Sequence, residues 1–260
     1  MSKLTAQDKF FDLSDYGRPF AIFIVNQLKN TRFTPIHVTF LFGISGLIAI
    51  FCMLKGYFFF AGFFLILKSI LDAADGELAR IKNTPSYTGR YLDSIFDIIL
   101  NFLFLTTICF ITESSFLLTI VAFICIQLQG TLYNYYYVIL RNKSVGGDTT
   151  SRVFEYKTPK AFAGESQKMV DVLFAIYLVA YGIFDKTIHF FDQDAYKIKT
   201  FPNWFMTLVS LYGLGFQLLI IAFMLNFKLI GYILPFFIVY SLLIFVLIGI
   251  RKTVFNMQNL

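Results

Sequence analysis

The chain alternates long apolar runs with short polar breaks, and the length of the runs decides the class. Seven runs, at about 36–54, 57–79, 90–112, 115–140, 167–184, 203–226 and 229–250, approach the roughly 20 residues needed to cross a hydrocarbon core. The last two are separated only by Asn226, Phe227 and Lys228, which predicts a tight helical hairpin. The pattern predicts an all-α, polytopic transmembrane helix bundle of six or seven spans, the lower count applying if one run lies in the interface or is re-entrant. Ahead of the first run, Tyr16–Leu28 places Phe20, Phe23, Ile24 and Leu28 on one side with Arg18, Lys29 and Arg32 around its ends. This reads as an amphipathic helix lying on the bilayer, or as an arm packed on the bundle.

Composition agrees with the runs. Hydrophobic residues make up 57% of the 260 and charged residues 15%, with 34 Phe and 15 Tyr, far from a soluble mixture. Cys52, Cys109 and Cys125 are scattered through apolar runs and read as small buried hydrophobes. No basic cluster is interleaved with exposed aromatics, so the net charge of +6 reads as juxtamembrane charge and no nucleic acid is expected as a partner. With the N-terminus inside, the outer segments hold Lys55, Lys186, Lys197, Lys199, Arg251 and Lys252. The other cations, Lys228 among them, fall on inner segments, apart from Lys68 within a span. That bias predicts a cytoplasmic face for the segment ending the second run and starting the third.

That segment carries the chemistry. On a helix, Asp72, Asp75, Gly76 and Ala79 fall at i, i+3, i+4 and i+7, so two carboxylates and two small residues share a face. Beyond a break at Pro85–Gly89, Asp93 and Asp97 stand one turn apart. Four carboxylates facing one another in a low-dielectric setting repel unless a cation neutralises them, and an all-oxygen set suits Mg²⁺, Mn²⁺ or Ca²⁺. A lone Asp would be as readily a helix cap or an ion-pair partner; four at these spacings point to a site. Gly76 and Ala79 either admit a phosphorylated ligand close to the backbone or serve close helix packing. Gln127, Gln129 and Asn134 either face a cavity or bond between helices. The polar connection Arg141–Lys168 contains Gly146, Gly147, Asp148, Thr149 and Thr150. Its Arg141, Arg152, Lys157 and Lys160 either meet phosphate groups or form a solvated linker.

The full spacing, Asp72-x2-Asp75-Gly76-x2-Ala79-Arg80-x8-Gly89-x3-Asp93-x3-Asp97, resembles the signature of the CDP-alcohol phosphotransferase family at every fixed position. Thr34-Pro35-Ile36-His37-Val38-Thr39 is similar to the family's Pro-Asn-x-x-Thr at the start of its first span, with Ile36 in place of Asn. The resemblance implies a membrane transferase of phospholipid synthesis, often a homodimer. It implies an N-terminal arm (1–33), a transferase domain of membrane helices (34–252) and a tail (253–260). It also implies two divalent cations, Mg²⁺ or Mn²⁺, on Asp72, Asp75, Asp93 and Asp97; Asp97 as general base; and Gly76, Ala79, Arg80 and Gly89 around the nucleotide. The donor is expected to be CDP-diacylglycerol, with a polar alcohol such as inositol, inositol phosphate, glycerol phosphate or serine as acceptor. The alternative is transfer from CDP-choline or CDP-ethanolamine to a diglyceride. Outside this class stands a cation channel or transporter that uses the acids as an ion site, against which no acidic path crosses the apolar runs.

Overall fold

The computed structural model describes residues 4–5, 8–144, 155–198 and 200–254. The glycine pair, Asp148–Thr150, Arg152 and the tail from 255 onward lie outside the described residues. The fold is an all-α polytopic bundle, with α1 (Arg18–Leu28), α2 (Pro35–Leu54), α3 (Phe58–Ile81), α4 (Tyr87–Thr112), α5 (Phe116–Ser144) and α6 (Gln167–Phe191) in order. There follow α7 (Asn203–Val209), α8 (Leu214–Asn226), α9 (Ile233–Tyr240) and α10 (Leu243–Val254).

Helix ends follow local chemistry. Thr34 and His37 form a reciprocal capping box at the start of α2, with Pro35 in its first turn. Ser86 caps α4 by accepting the Gly89 N–H, and α4 stops at Glu113 in the left-handed region. Asn83, also left-handed, turns the chain between α3 and α4. The connection is short, so the Asp72–Asp75 end of α3 lies beside the Asp93–Asp97 end of α4.

Small residues let α2 close on α4 and α3 on α8. A methyl at Gly46 would strike Leu100, one at Gly43 would touch Phe96, and one at Gly62 would lie 2.5 Å from the Asn226 amide. The resulting core joins Phe42, Ala49, Leu65, Phe104, Leu218 and Phe237 from five helices. Ala21 and Val25 of α1 are buried against Ala74 and Leu78 of α3. Ile24 and Leu28 turn with them, whereas Phe20 and Phe23 point outward, 64% and 66% exposed. The apolar side expected of this helix is thus divided between the bundle and its surroundings.

Among the described residues five elements, α2, α4, α5, α6 and Ile230–Val254, are long and apolar enough to cross a membrane; α7 and α8, bent by 53° at Gly213, make a sixth if they count as one span. Lys68, Asp72 and Asp75 interrupt the apolarity of α3, yet its 24 residues extend about 36 Å. Contacts show that α6 does not run the length of the bundle. It starts at Tyr87 and Tyr91 of α4, where Val170 and Phe174 pack, and the Tyr181 hydroxyl donates to the Ser94 carbonyl at 2.8 Å. It ends at α5, where Ile188 packs with Leu132 and Tyr136 donates to Asp192 at 2.7 Å. Measured along α4 and α5 from their connecting turn, those partners lie ~24–38 Å away, so a helix of about 37 Å covers only a third of the depth. α6 therefore lies across the acidic end, its Val172, Ile176, Val179, Ile183 and Phe190 exposed along one stripe.

The placement of α6 corrects the expected sidedness of the later cations. Lys186, Lys197, Arg251 and Lys252 stand at the acidic end, with Arg251 paired to buried Asp192. Lys228, in a left-handed turn beside the Asn226 end of α8, stands at the opposite end. Among the described residues only Lys55 and Lys228 remain there, so the charge asymmetry is steeper than the apolar runs alone suggested.

Candidate metal and nucleotide site

Thr39 of α2 donates a 2.7 Å hydrogen bond to Asp75 Oδ2, fixing a buried carboxylate on α3. Asp72, Asp75 and Asp93 each offer an oxygen, and these atoms lie within 4.8 Å of one another. Asp93 Oδ1 is buried with no hydrogen-bond partner. Three converging carboxylates with an orphaned oxygen form a hard, anionic cradle that fits a divalent cation.

Asp97, one turn beyond Asp93, is not among those three. Lys68, buried at 0% exposure in α3, forms an ion pair with Asp97 Oδ1 and places its Nζ 3.3 Å from Asp72 Oδ2. The ammonium also sits 4.6 Å from the centre of the Phe42 ring. Sequence reasoning left Lys68 as an unexplained charge within a span; its position one turn before Asp72 was the signal.

A cavity of about 340 Å³ opens beside the carboxylates. Asp72, Gly76, Asp93 and Asp97 line it from α3 and α4, Gln127, Thr131 and Asn134 from α5, Tyr177, Tyr181 and Asp185 from α6, and Gln217 from α8. A methyl added at Gly76 would meet only an Arg80 nitrogen at 3.6 Å, so this glycine leaves its backbone open to the cavity. Arg80 Nη2 is held by Glu77 at 2.6 Å, while its Nε is buried and unpartnered. Ala79, Arg80 and Gly89 do not line the cavity. Gly89 instead packs near Ser86 and Ile36, where an added methyl would lie 3.1 Å from the Ser86 hydroxyl.

The amides of α5 divide. Gln127 and Asn134 face the cavity, and Gln127 Nε2 is a buried donor without a partner. Gln129 binds between helices, donating to the Phe237 carbonyl and to Ser241 while accepting from Gln217.

One wall of the cavity and one fastening beyond it escaped the sequence. The N-terminal arm inserts Asp12–Asp15: the Leu13 N–H donates to Ser210 at 2.9 Å, Tyr133 donates to Asp12 at 2.6 Å, and Ser14 fills the space left by Gly213 and Gly215. On the other side, the connection into α6 is pinned to the start of α4. Glu155 pairs with Arg90 and accepts from Tyr91, and Glu165 accepts the Ser86 hydroxyl and Thr88 N–H, both at 2.8 Å. Burial would raise the Glu165 pKa, but the donors of Thr88, Ser86 and Phe162 outweigh it and hold it below the usual glutamate value. Lys157 and Lys160 are exposed and line no part of the cavity.

Residues 32–227 match the family model described as CDP-alcohol phosphatidyltransferase. A comparison with curated proteins gives no match.

Proposed function

Because the chain belongs to the CDP-alcohol phosphatidyltransferase family, we propose that it moves a substituted phosphate from a CDP-alcohol to an acceptor hydroxyl, releasing CMP, in phospholipid synthesis. The observation that carries this reading is the Asp72–Asp75–Asp93 cradle, with its orphaned Asp93 oxygen, opening beside Gly76 into a polar cavity. Asp72, Asp75 and Asp93 would hold Mg²⁺ or Mn²⁺, which when bound supplies electrophilic stabilisation of charge on the phosphates. Gly76 lets the nucleotide approach the α3 backbone, and the Arg80 guanidinium nitrogen beside it would give a phosphate a charged donor. Lys68 engages Oδ1 of Asp97, leaving Oδ2 to take the proton of the acceptor hydroxyl. As that oxygen bonds to phosphorus, the bond from phosphorus to the CMP oxygen breaks.

The cavity lining supports CDP-diacylglycerol as donor and a polar alcohol as acceptor. Asn101, Gln127, Thr131, Asn134 and Tyr181 offer amides and hydroxyls to a hydrated ligand, and the volume suits a small headgroup better than two acyl chains. The concentration of Lys and Arg at this end supports a cytoplasmic active site. A homodimer follows from the resemblance and is checked by the mass of the detergent-solubilised particle.

The test is to give purified protein a panel of CDP-alcohols and acceptors, measure CMP, and identify the lipid product by mass. Activity should vanish with EDTA and return with Mg²⁺ or Mn²⁺. Cation flux in proteoliposomes without CMP release from any donor would overturn the reading in favour of an ion pathway.

A further inference from the structure

We propose that Lys68 occupies the place of a second metal ion, so that the site of the substrate-free protein takes one divalent cation together with one built-in ammonium. The inference rests on the metal-binding reading of the acidic cluster and concerns how many ions it holds.

The geometry separates the four carboxylates into two groups. Asp72, Asp75 and Asp93 converge on one point, and one of the Asp93 oxygens lacks any partner. Asp97 faces a different cation: Lys68 is ion-paired to its Oδ1 and lies 3.3 Å from Asp72 Oδ2, bridging the gap in which an ion shared by those two acids would sit. The ammonium cannot leave easily. Its residue is wholly enclosed, with the Phe42 ring 4.6 Å away. Moving it off both carboxylates would leave an unpaired buried charge, which is strongly unfavourable. One divalent cation and the ammonium together offset three of the four negative charges, and a second divalent cation would carry the cluster past neutrality to a net positive charge.

The experiment counts bound Mn²⁺ on the full chain in detergent, by electron paramagnetic resonance of free Mn²⁺ and by elemental analysis after desalting, without nucleotide. Wild type should saturate at about one ion per chain, and Lys68→Met, which frees Asp97 and the facing oxygen of Asp72, at about two. Lys68→Arg, which keeps the charge, should stay at about one. Two ions or none on wild type would overturn the proposal, as would an unchanged count in a folded Lys68→Met protein. Should that variant fail to fold, the wild-type and Lys68→Arg counts decide. Because the count needs no CDP-alcohol, one bound ion without turnover speaks against the proposed reaction alone, whereas a working enzyme with two ions speaks against the role of Lys68 alone.

Discussion

Thr39 and Asp75 meet across α2 and α3 through a buried 2.7 Å hydrogen bond, which makes a residue of the first span part of the acidic site. Thr39→Val keeps the shape and removes the donor. Mn²⁺ affinity should fall by about 10- to 100-fold, as for other losses behind a ligating carboxylate. A titration of Mn²⁺ binding checks this, and unchanged affinity would show that Asp75 needs no such support.

Asp97→Asn should lower CMP release by ~100- to 10,000-fold, the range expected for loss of a general base. Near-wild-type turnover in that variant would remove Asp97 from the proton-transfer role. Thermal unfolding in detergent checks that the bundle survives.

Two glycines on α3 should respond in opposite ways. A methyl at Gly76 meets only the end of Arg80, so Gly76→Ala should leave the melting temperature unchanged or slightly higher while raising KM for the CDP-alcohol by about 10-fold. At Gly62 the methyl would press on the Asn226 amide and the Ala222 carbonyl, so Gly62→Ala should cost ~1–3 kcal/mol of stability. Equal KM for wild type and Gly76→Ala would mean that the nucleotide does not approach there.

Glu165 ties the connection before α6 to the start of α4, and its depressed pKa gives the tie a pH dependence. The stabilisation is complete above the ordinary glutamate pKa of about 4.3 and is lost as pH falls through the lower folded-state value. Glu165→Gln should therefore lower the melting temperature at neutral pH, by an amount corresponding to ~1 kcal/mol for a lost cap. The gap to wild type should close in strong acid. A gap independent of pH would argue that the carboxylate charge contributes nothing.

Much of the site could be read in the chain because a helix converts spacing into position. Asp72, Asp75 and Gly76 share a face by periodicity alone, and Pro85 with Ser86 marks the turn that returns Asp93 to them. Lys68 was harder, since a charge in an apolar run has no partner until the neighbouring helix is placed. The run at 167–184 has the length and apolarity of a span, and its crosswise course is dictated by contacts with Tyr87, Ser94 and Tyr136 that no local pattern encodes. The Asp12–Asp15 wall depends on Ser210 and Gly213, almost two hundred residues away, beyond any periodic signal.

The distance between that wall and its support bears on how the protein is made. Synthesis delivers α3 and α4 to the membrane well before Ser210, Gly213 and Gly215 exist to receive Leu13 and Ser14, so the acidic pocket is assembled while one of its sides is missing. During that interval Lys68 is the cation that travels with the carboxylates, four residues ahead of Asp72 on the same helix. A nascent chain carrying Lys68→Met would present bare acids to the lipid, and its defect would register in the yield of inserted protein before any substrate is offered.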